Sequence, residues 1–474
     1  MSAEKRVDLE EKLDRELDRD LQSDGPPPYS AAKGFIVSGA IWLIVGTTWG
    51  FIGALEYVAP DLIQNVSWLS FGRVRTAHLN IVAFGFLTAT LIGVALYCIP
   101  ALLRTKLFSE RLGVATMWAW NAAVLVGAVT VSMGYTQARE YAELEWPIDV
   151  AVLLAFVLIL YNMIMTVVFR REKNLYVSVW YFVGAILWTS MVYPLGNVMW
   201  HPKTGSMTGT VDAIWLWFYG HNVIGLLFTP LAVGAAYYVI PRVARAPLYS
   251  HTLSIIGFWT LGLIYTHIGT HHLMQAPVPL WLKVIAGIDS FLMLIPVFTV
   301  LVNLWMTARG HWVNFFGTAA GKFVFAGTIW YAVVCIQGAF HSLNFVQRVT
   351  HFNNWVVGHA HIAVFGFAGM IAIGAAYHIL PKVCGRKIWS PPLANLQYWL
   401  IFLGLWGMFI ALTIGGLVQG NSWLNGESVY RVLPQLTMYS ALRVMFAIMI
   451  IAGALVGAYN ILMTVSRGER IEAA

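Results

Sequence analysis

The chain has 474 residues, 59% of them hydrophobic and only 11% charged, with a mean hydropathy of +0.69. A soluble globule of this length needs more charge to cover its surface, so the composition excludes one and requires a bilayer. The net charge of +7 falls mostly on short loops between apolar runs, where it reports topology and gives no basis for nucleic-acid binding.

In chain order, residues 1–31 form a charged tail without the apolar core of a secretory signal, expected to stay in the cytoplasm. Leu9, Leu13, Leu17 and Leu21 recur every fourth position there, as in a short amphipathic helix, although a frayed, solvated tail is the preferred reading. About twelve apolar runs follow, each near the ~20 residues needed to cross hydrocarbon. Their approximate spans are 32–56, 76–103, 112–133, 147–169, 176–199, 212–241, 252–273, 281–307, 320–345, 354–381, 395–419 and 438–466. One all-α polytopic domain over 32–466 is expected, closed by a short tail at 467–474. Starting inside, the inner loops collect most of the Lys and Arg, Arg104, Arg170, Arg242, Lys322 and Lys382 among them. The outer loops hold fewer, including Arg73, Arg75, Arg139, Arg348 and Arg431. Both termini should therefore be cytoplasmic.

Thirteen histidines are present, and ligating groups inside a span are costly unless they have work to do. His78 opens the second predicted span, His221 lies in the sixth, His271 and His272 close the seventh, and His359 and His361 start the tenth. With the topology above, all six fall near the outer side, which points to a shared metal layer. Residues two apart on a helix point to opposite sides, so His359 and His361 can serve two different haems. His271 and His272, at a helix end, can turn toward one ion with His221 as a third ligand; three imidazoles suit copper, zinc or iron. His78 is then left to face His361 across one haem, while His359 holds a second haem whose other face is open to a gas. Cys98, Cys335 and Cys384 are widely separated and fit no disulfide framework or zinc knuckle. No C-x-x-C-H segment is present; if electrons arrive from a cytochrome c, another subunit must carry that centre.

The stretches GRVRTAHLNIVAFGF, REYAELEWPID, WFYGHNVIGLLFTPLAVGAAYYVIP, LSIIGFWTLGLIYTHIGTHHL, NNWVVGHAHIAVFGF and GAAYHILPK resemble the catalytic subunit of the cbb3-type (C family) cytochrome c oxidases, in order through all twelve spans. The resemblance implies a haem-copper oxidase fold in a bacterial cytoplasmic membrane. It further implies oxygen reduction to water with electrons from cytochrome c and membrane-bound c-type cytochrome subunits, coupled to proton uptake and pumping. It implies two b-type haems, with His78 and His361 on the low-spin haem and His359 on the high-spin haem, and one copper ion on His221, His271 and His272. The active-site tyrosine would be Tyr265, cross-linked to His221; the position four residues after His221, which holds the tyrosine in other haem-copper oxidases, is Gly225. Tyr237, Ser254 and Tyr331 resemble the family's proton path. Arg73, Arg75 and Glu140 resemble residues near the haem propionates and an associated calcium site.

Several positions depart from the family pattern. Gln337 stands where a Glu is usual, and an amide cannot change charge. His267 replaces a Trp one helical turn before His271, where it is expected to tune the copper site. His341 and the pair Asn353–Asn354 also differ, while His351 matches. Two other readings are weighed against the oxidase. A nitric oxide reductase shares the fold but usually places a Glu where Gly225 stands. A non-redox transporter would show broken helices and few ligands at the midplane.

Overall fold

The computed structural model describes residues 28–63, 65–137, 139–197 and 209–471. Twelve of its helices are long and apolar enough to cross a membrane: α1 Ser30–Leu55, α2 Phe71–Leu103, α3 Glu110–Met133, α4 Trp146–Val168, α5 Val177–Asn197, α6 Gly209–Ala244, α7 His251–Leu273, α8 Leu280–Ala308, α9 Ala319–His341, α10 Asn354–Cys384, α11 Pro391–Leu424 and α12 Val429–Arg467. The protein is thus an all-α, multi-pass membrane bundle. Large apolar side chains such as Trp118, Trp259 and Leu263 are exposed on α3 and α7, which suits a lipid solvent. The leucine pattern of the tail lies outside the described residues.

Two predicted boundaries move. The second span begins at Phe71 instead of 76, so Arg73 and Arg75 are helical, and the last begins at Val429 instead of 438, so Arg431 is helical. Charged residues ended the apolar windows at these points, but a helix continues through the polar interface because its backbone bonds are internal. The ninth span stops earlier than predicted, at His341.

The twelve helices form three units of four: α1–α4, α5–α8 and α9–α12. In each, the first helix packs on the second and the third on the fourth, and the three second helices, α2, α6 and α10, meet at the centre. The units repeat a local chemistry that the sequence reading missed. GVALYCIP (93–100), GAAYYVIP (234–241) and GAAYHILP (374–381) end the central helices. Each is followed by a left-handed residue, Arg104, Arg245 or Gly385. The leading glycines sit where the first helix of the unit comes closest: a Cβ on Gly93 would lie 2.8 Å from Ala32 O, and one on Gly374 would lie 2.9 Å from Ala320 O.

After each left-handed turn a serine caps the third helix. Ser109, Ser250 and Ser390 accept from the backbone N–H of Leu112, Leu253 and Leu393. An asparagine from the fourth helix then clamps the serine backbone from both sides. Asn162 accepts from Ser109 N–H at 3.1 Å and donates to Ser109 O at 3.0 Å; Asn303 does the same to Ser250 and Asn460 to Ser390. One turn later Thr166, Thr307 and Thr464 each accept from the residue before the serine. Buried backbone groups in a loop beside hydrocarbon need such partners.

Replacing Asn162 by Ala would leave the Ser109 N–H without a partner and Ser109 O with the Gly113 N–H alone. A loss of about 1–3 kcal/mol is expected, read as a lower thermal midpoint of the purified protein with its helical circular dichroism unchanged below the transition.

Candidate metal centre

The six histidines singled out from the sequence are gathered into two adjacent cavities. In the first, of about 910 Å³, His78 of α2 and His361 of α10 face each other with ring centroids 6.3 Å apart and planes 22° from parallel. His78 Nδ1 donates to Gly46 O at 2.7 Å and His361 Nδ1 to Val357 O at 2.7 Å. Both rings are thereby held as the tautomer whose Nε2 lone pair is free to bind a metal. A metal ion taken from both sides by imidazole fits this pair, and the cavity beside it has room for a planar macrocycle.

The second cavity, of about 1210 Å³, is lined by His221, His271, His272, His359 and Tyr265. One ligand atom from each of His221, His271 and His272 lies within 4.8 Å of the others. His221 Nδ1 and His272 Nε2 are 3.0 Å apart. His271 Nδ1 is hydrogen-bonded at 2.8 Å to Ser290 Oγ, whose own hydrogen goes to Ala286 O, so His271 is left to bind through Nε2. The last turns of α7, from Tyr265 to Leu273, are 3₁₀, so neighbouring side chains diverge by about 120° rather than the expected 100°. The two rings still converge, with centroids 4.6 Å apart, and Trp217 stacks on His272 at 3.9 Å. An all-nitrogen set of three suits copper. His359 stands on the cavity's other wall, its Nδ1 donating to Gln337 Oε1 at 3.2 Å and its ring parallel to Trp355.

Tyr265 stacks on His221, with centroids 4.8 Å apart and planes 14° from parallel. A Cβ at Gly225 would overlap the Tyr265 ring. The phenol from α7 therefore occupies the space that a side chain on α6 would need, and the two departures seen in sequence are halves of one arrangement.

The central repeat also explains which positions hold histidine. Aligned on Pro100, Pro241 and Pro381, one position holds His78, Tyr219 and His359, and the position two residues later holds Asn80, His221 and His361. Each space between units takes the first position of one unit and the second of another. Two spaces so receive a histidine from each side. The third, much smaller, receives Tyr219 and Asn80.

The remaining predicted residues are placed less uniformly. Asn303 Nδ2 donates to Ser254 Oγ at 3.0 Å and Tyr237 Oη at 3.3 Å, linking two proton-path residues through a third that the sequence reading missed. Tyr331 lines the second cavity against Phe367. Arg75 and Glu140 form an ion pair, and Arg73 donates to Ser132 O. His267 does not line the cavity: it is largely exposed, with Nδ1 3.5 Å from Asp289 of α8. Its expected tuning of the copper site is therefore replaced by a surface pairing beside Ser290. His341 is buried against Trp355, Asn353 caps α10, and Asn354 bonds Gln419.

Sequence reasoning also missed Arg443, which lines the first cavity and whose signal is an arginine inside an apolar run. Tyr141, in the loop between α3 and α4, lines both cavities. Its N–H donates to Glu143 Oε1 at 3.0 Å. Burial pushes the Glu143 carboxyl up to about 7, against the opposing pull of its hydrogen bonds from Tyr141 and Asn80.

Residues 30–455 match the family described as Cytochrome C and Quinol oxidase polypeptide I. The chain is 31% identical over 457 residues to the Cbb3-type cytochrome c oxidase subunit CcoN1 of Stutzerimonas stutzeri, covering 94% of this chain and 96% of that one. A nitric oxide reductase chain from the same organism is more distant, at 25% identity over 84% of this chain and 85% of that protein. Among solved structures, a haem-copper terminal oxidase that forms a dimer superposes with a TM-score of 0.79, over 94% of this chain and 86% of that one, at 16% identity.

Two outcomes are expected. Ser290→Ala frees the His271 ring and should lower copper affinity about 10–100-fold, measured as copper per chain after dialysis against a graded chelator. Because the Glu143 carboxyl is raised from 4.5 to about 7, the native state holds its proton more tightly than the unfolded chain does. Stability from this group is full below about 4.5 and is lost as pH rises toward 7; Glu143→Gln should flatten the pH dependence of the thermal midpoint across that window.

Proposed function

This chain belongs to the Cytochrome C and Quinol oxidase polypeptide I family, on its cbb3-type branch, and from that premise we propose how its residues serve a terminal oxidase that reduces oxygen to water. The observation that carries the reading is one cavity whose walls bear three convergent imidazoles, a fourth imidazole opposite, and a phenol stacked on the first. His78 and His361 hold a low-spin b-type haem, His359 a high-spin b-type haem, and His221, His271 and His272 a copper ion. When bound, these groups carry electrons inward and supply the open coordination at which a diatomic gas is reduced.

The protein's own part is orientation and proton supply. Backbone carbonyls fix the rings of His78 and His361, Ser290 that of His271, and Gln337 that of His359. Tyr265, stacked on His221 and placed to be cross-linked to it, is the residue that would supply an electron and its hydroxyl proton to bound oxygen. Protons reach it from the cytoplasmic side by Ser254, Tyr237 and Tyr331. The repeat supports a special role for Ser254: Tyr237–Asn303 has a counterpart in Tyr377–Asn460, whereas Gly113 and Ala394 stand at the position of Ser254. Gln337 is a neutral acceptor, so no proton is stored there. Arg443, Arg73, Arg75 and Glu140 face the outer, propionate side with its calcium site, where c-type cytochrome subunits pass on electrons from cytochrome c. The chain works in the bacterial cytoplasmic membrane with both termini inside. The nitric oxide reductase reading needs a carboxylate beside the non-haem metal, and no Asp or Glu is among the described residues lining the cavity.

Metal analysis and reduced-minus-oxidised spectra of the purified complex should give two b haems and one copper per chain, with fast oxygen uptake. Non-haem iron in place of copper, with nitric oxide turnover, would overturn the oxidase assignment. Tyr265→Phe should keep both haem spectra and the copper while lowering oxygen turnover by about 10²–10⁴-fold, the usual worth of a positioned proton donor.

A further inference from the structure

Far from the histidines, at the inner ends of α6 and α10, a cavity of about 1670 Å³ opens between the second and third units. The 21 residues from His221 to Arg242 along α6 rise roughly 30 Å at about 1.5 Å each. Arg242, Arg245 and Lys322 line the cavity, and among the described residues no acidic one does. Arg242 is engaged locally, its guanidinium 3.6 Å from the Tyr238 ring centroid. Arg245 has no ion-pair partner among the described residues, and Lys322 Nζ bonds only the neutral amide oxygen of Asn395, at 2.6 Å.

The threefold repeat shows that this charge is specific to the second unit. In the first unit the corresponding inner turn carries Arg104, and the segment after α4 brings Glu172 to within 3.8 Å of it. In the third unit the segment after α12 pairs Glu469 with Lys387 at 2.8 Å. In the second unit the segment after α8, residues 309–318, contains no acid; Asn314 reaches Ala244 O instead. The wall is completed by His378, whose Nε2 is buried without a hydrogen-bond partner, and by the apolar faces of Ile388 and Pro391. The N-terminus of α9, capped by Thr318, adds its positive dipole end.

We infer that this cavity is a phosphate site whose occupant is the headgroup of an acidic phospholipid of the inner leaflet. Two unneutralised cations, a helix N-terminus and a buried imidazole recognise the phosphate. The adjoining apolar wall accepts the glycerol and first acyl carbons, which a soluble phosphate lacks. Basic pockets between helices on this face of a membrane take anionic headgroups for the same reason.

The test compares the complete oxidase complex carrying wild-type chain with Arg245→Gln/Lys322→Gln and with Arg245→Lys/Lys322→Arg, all solubilised and washed alike. Native mass spectrometry should find phosphatidylglycerol or cardiolipin retained by the wild type, reduced about fivefold per charge removed in the glutamine variant, and kept in the charge-conserving variant. Unchanged haem spectra report intact metal sites, and each single glutamine variant is read in the same way if the double variant does not assemble. Equal lipid retention by all forms overturns the inference. Calorimetric titration with inorganic phosphate forms the second arm: phosphate binding lost in the glutamine variant, with lipid retention unchanged, overturns the lipid occupant and assigns the cavity to a soluble phosphate.

Discussion

A polar group placed in hydrocarbon has no water to bond, and every element of this chain is arranged around that constraint. The asparagine clamps satisfy the loops where the chain re-enters the bilayer. The same constraint selects the tautomers of His78, His271, His359 and His361: each Nδ1–H finds a carbonyl, hydroxyl or amide oxygen, and the Nε2 lone pair is thereby committed to the cavity. Ligand orientation is thus a by-product of hydrogen-bond satisfaction, and the metal sites inherit their geometry from the helix packing.

Much of this was legible in the sequence. Apolar length is a strong signal, so twelve spans emerge with errors mainly where arginines interrupt the window but not the helix, as at Arg75 and Arg431. The six histidines stood out because imidazole inside a span is costly. The threefold repeat was not read: HLNIVAFGF (78–86) and HAHIAVFGF (359–367) share five of nine positions, but the shared residues are mostly apolar and common to any membrane helix. Asn303 and Ser290 were invisible for another reason: Asn and Ser in a span are commonplace, and only the position of their partners distinguishes a clamp or a ligand support from a solvated face. Gly225 and Tyr265 were both noted, but that one makes room for the other is a fact of packing. His267 shows the reverse error, since closeness in sequence to a ligand says nothing about the direction of the side chain.

Repetition and specialisation work against each other here, and the contrast isolates function. A residue shared by all three units, such as the asparagine of the clamp, belongs to the scaffold. A feature found in one unit only, such as Ser254, Tyr265 or an inner-turn arginine with no acid beside it, departs from the scaffold at some cost and calls for a separate explanation. The chain provides its own internal controls: they set Ser254 apart from Tyr237, which has a counterpart in Tyr377.

The distribution of histidines across the spaces between units has a consequence for biogenesis. No unit carries both ligands of the low-spin site, and none carries all the ligands of the second cavity. A nascent chain with only its first four helices inserted can offer His78 alone, and it gains the facing imidazole when the tenth helix arrives. On the proposed assignment, haem held by that pair would report that α2 and α10 have both been inserted. A chain that lost one span between them would place His78 and His361 on opposite sides of the bilayer, and it would hold no haem at that pair.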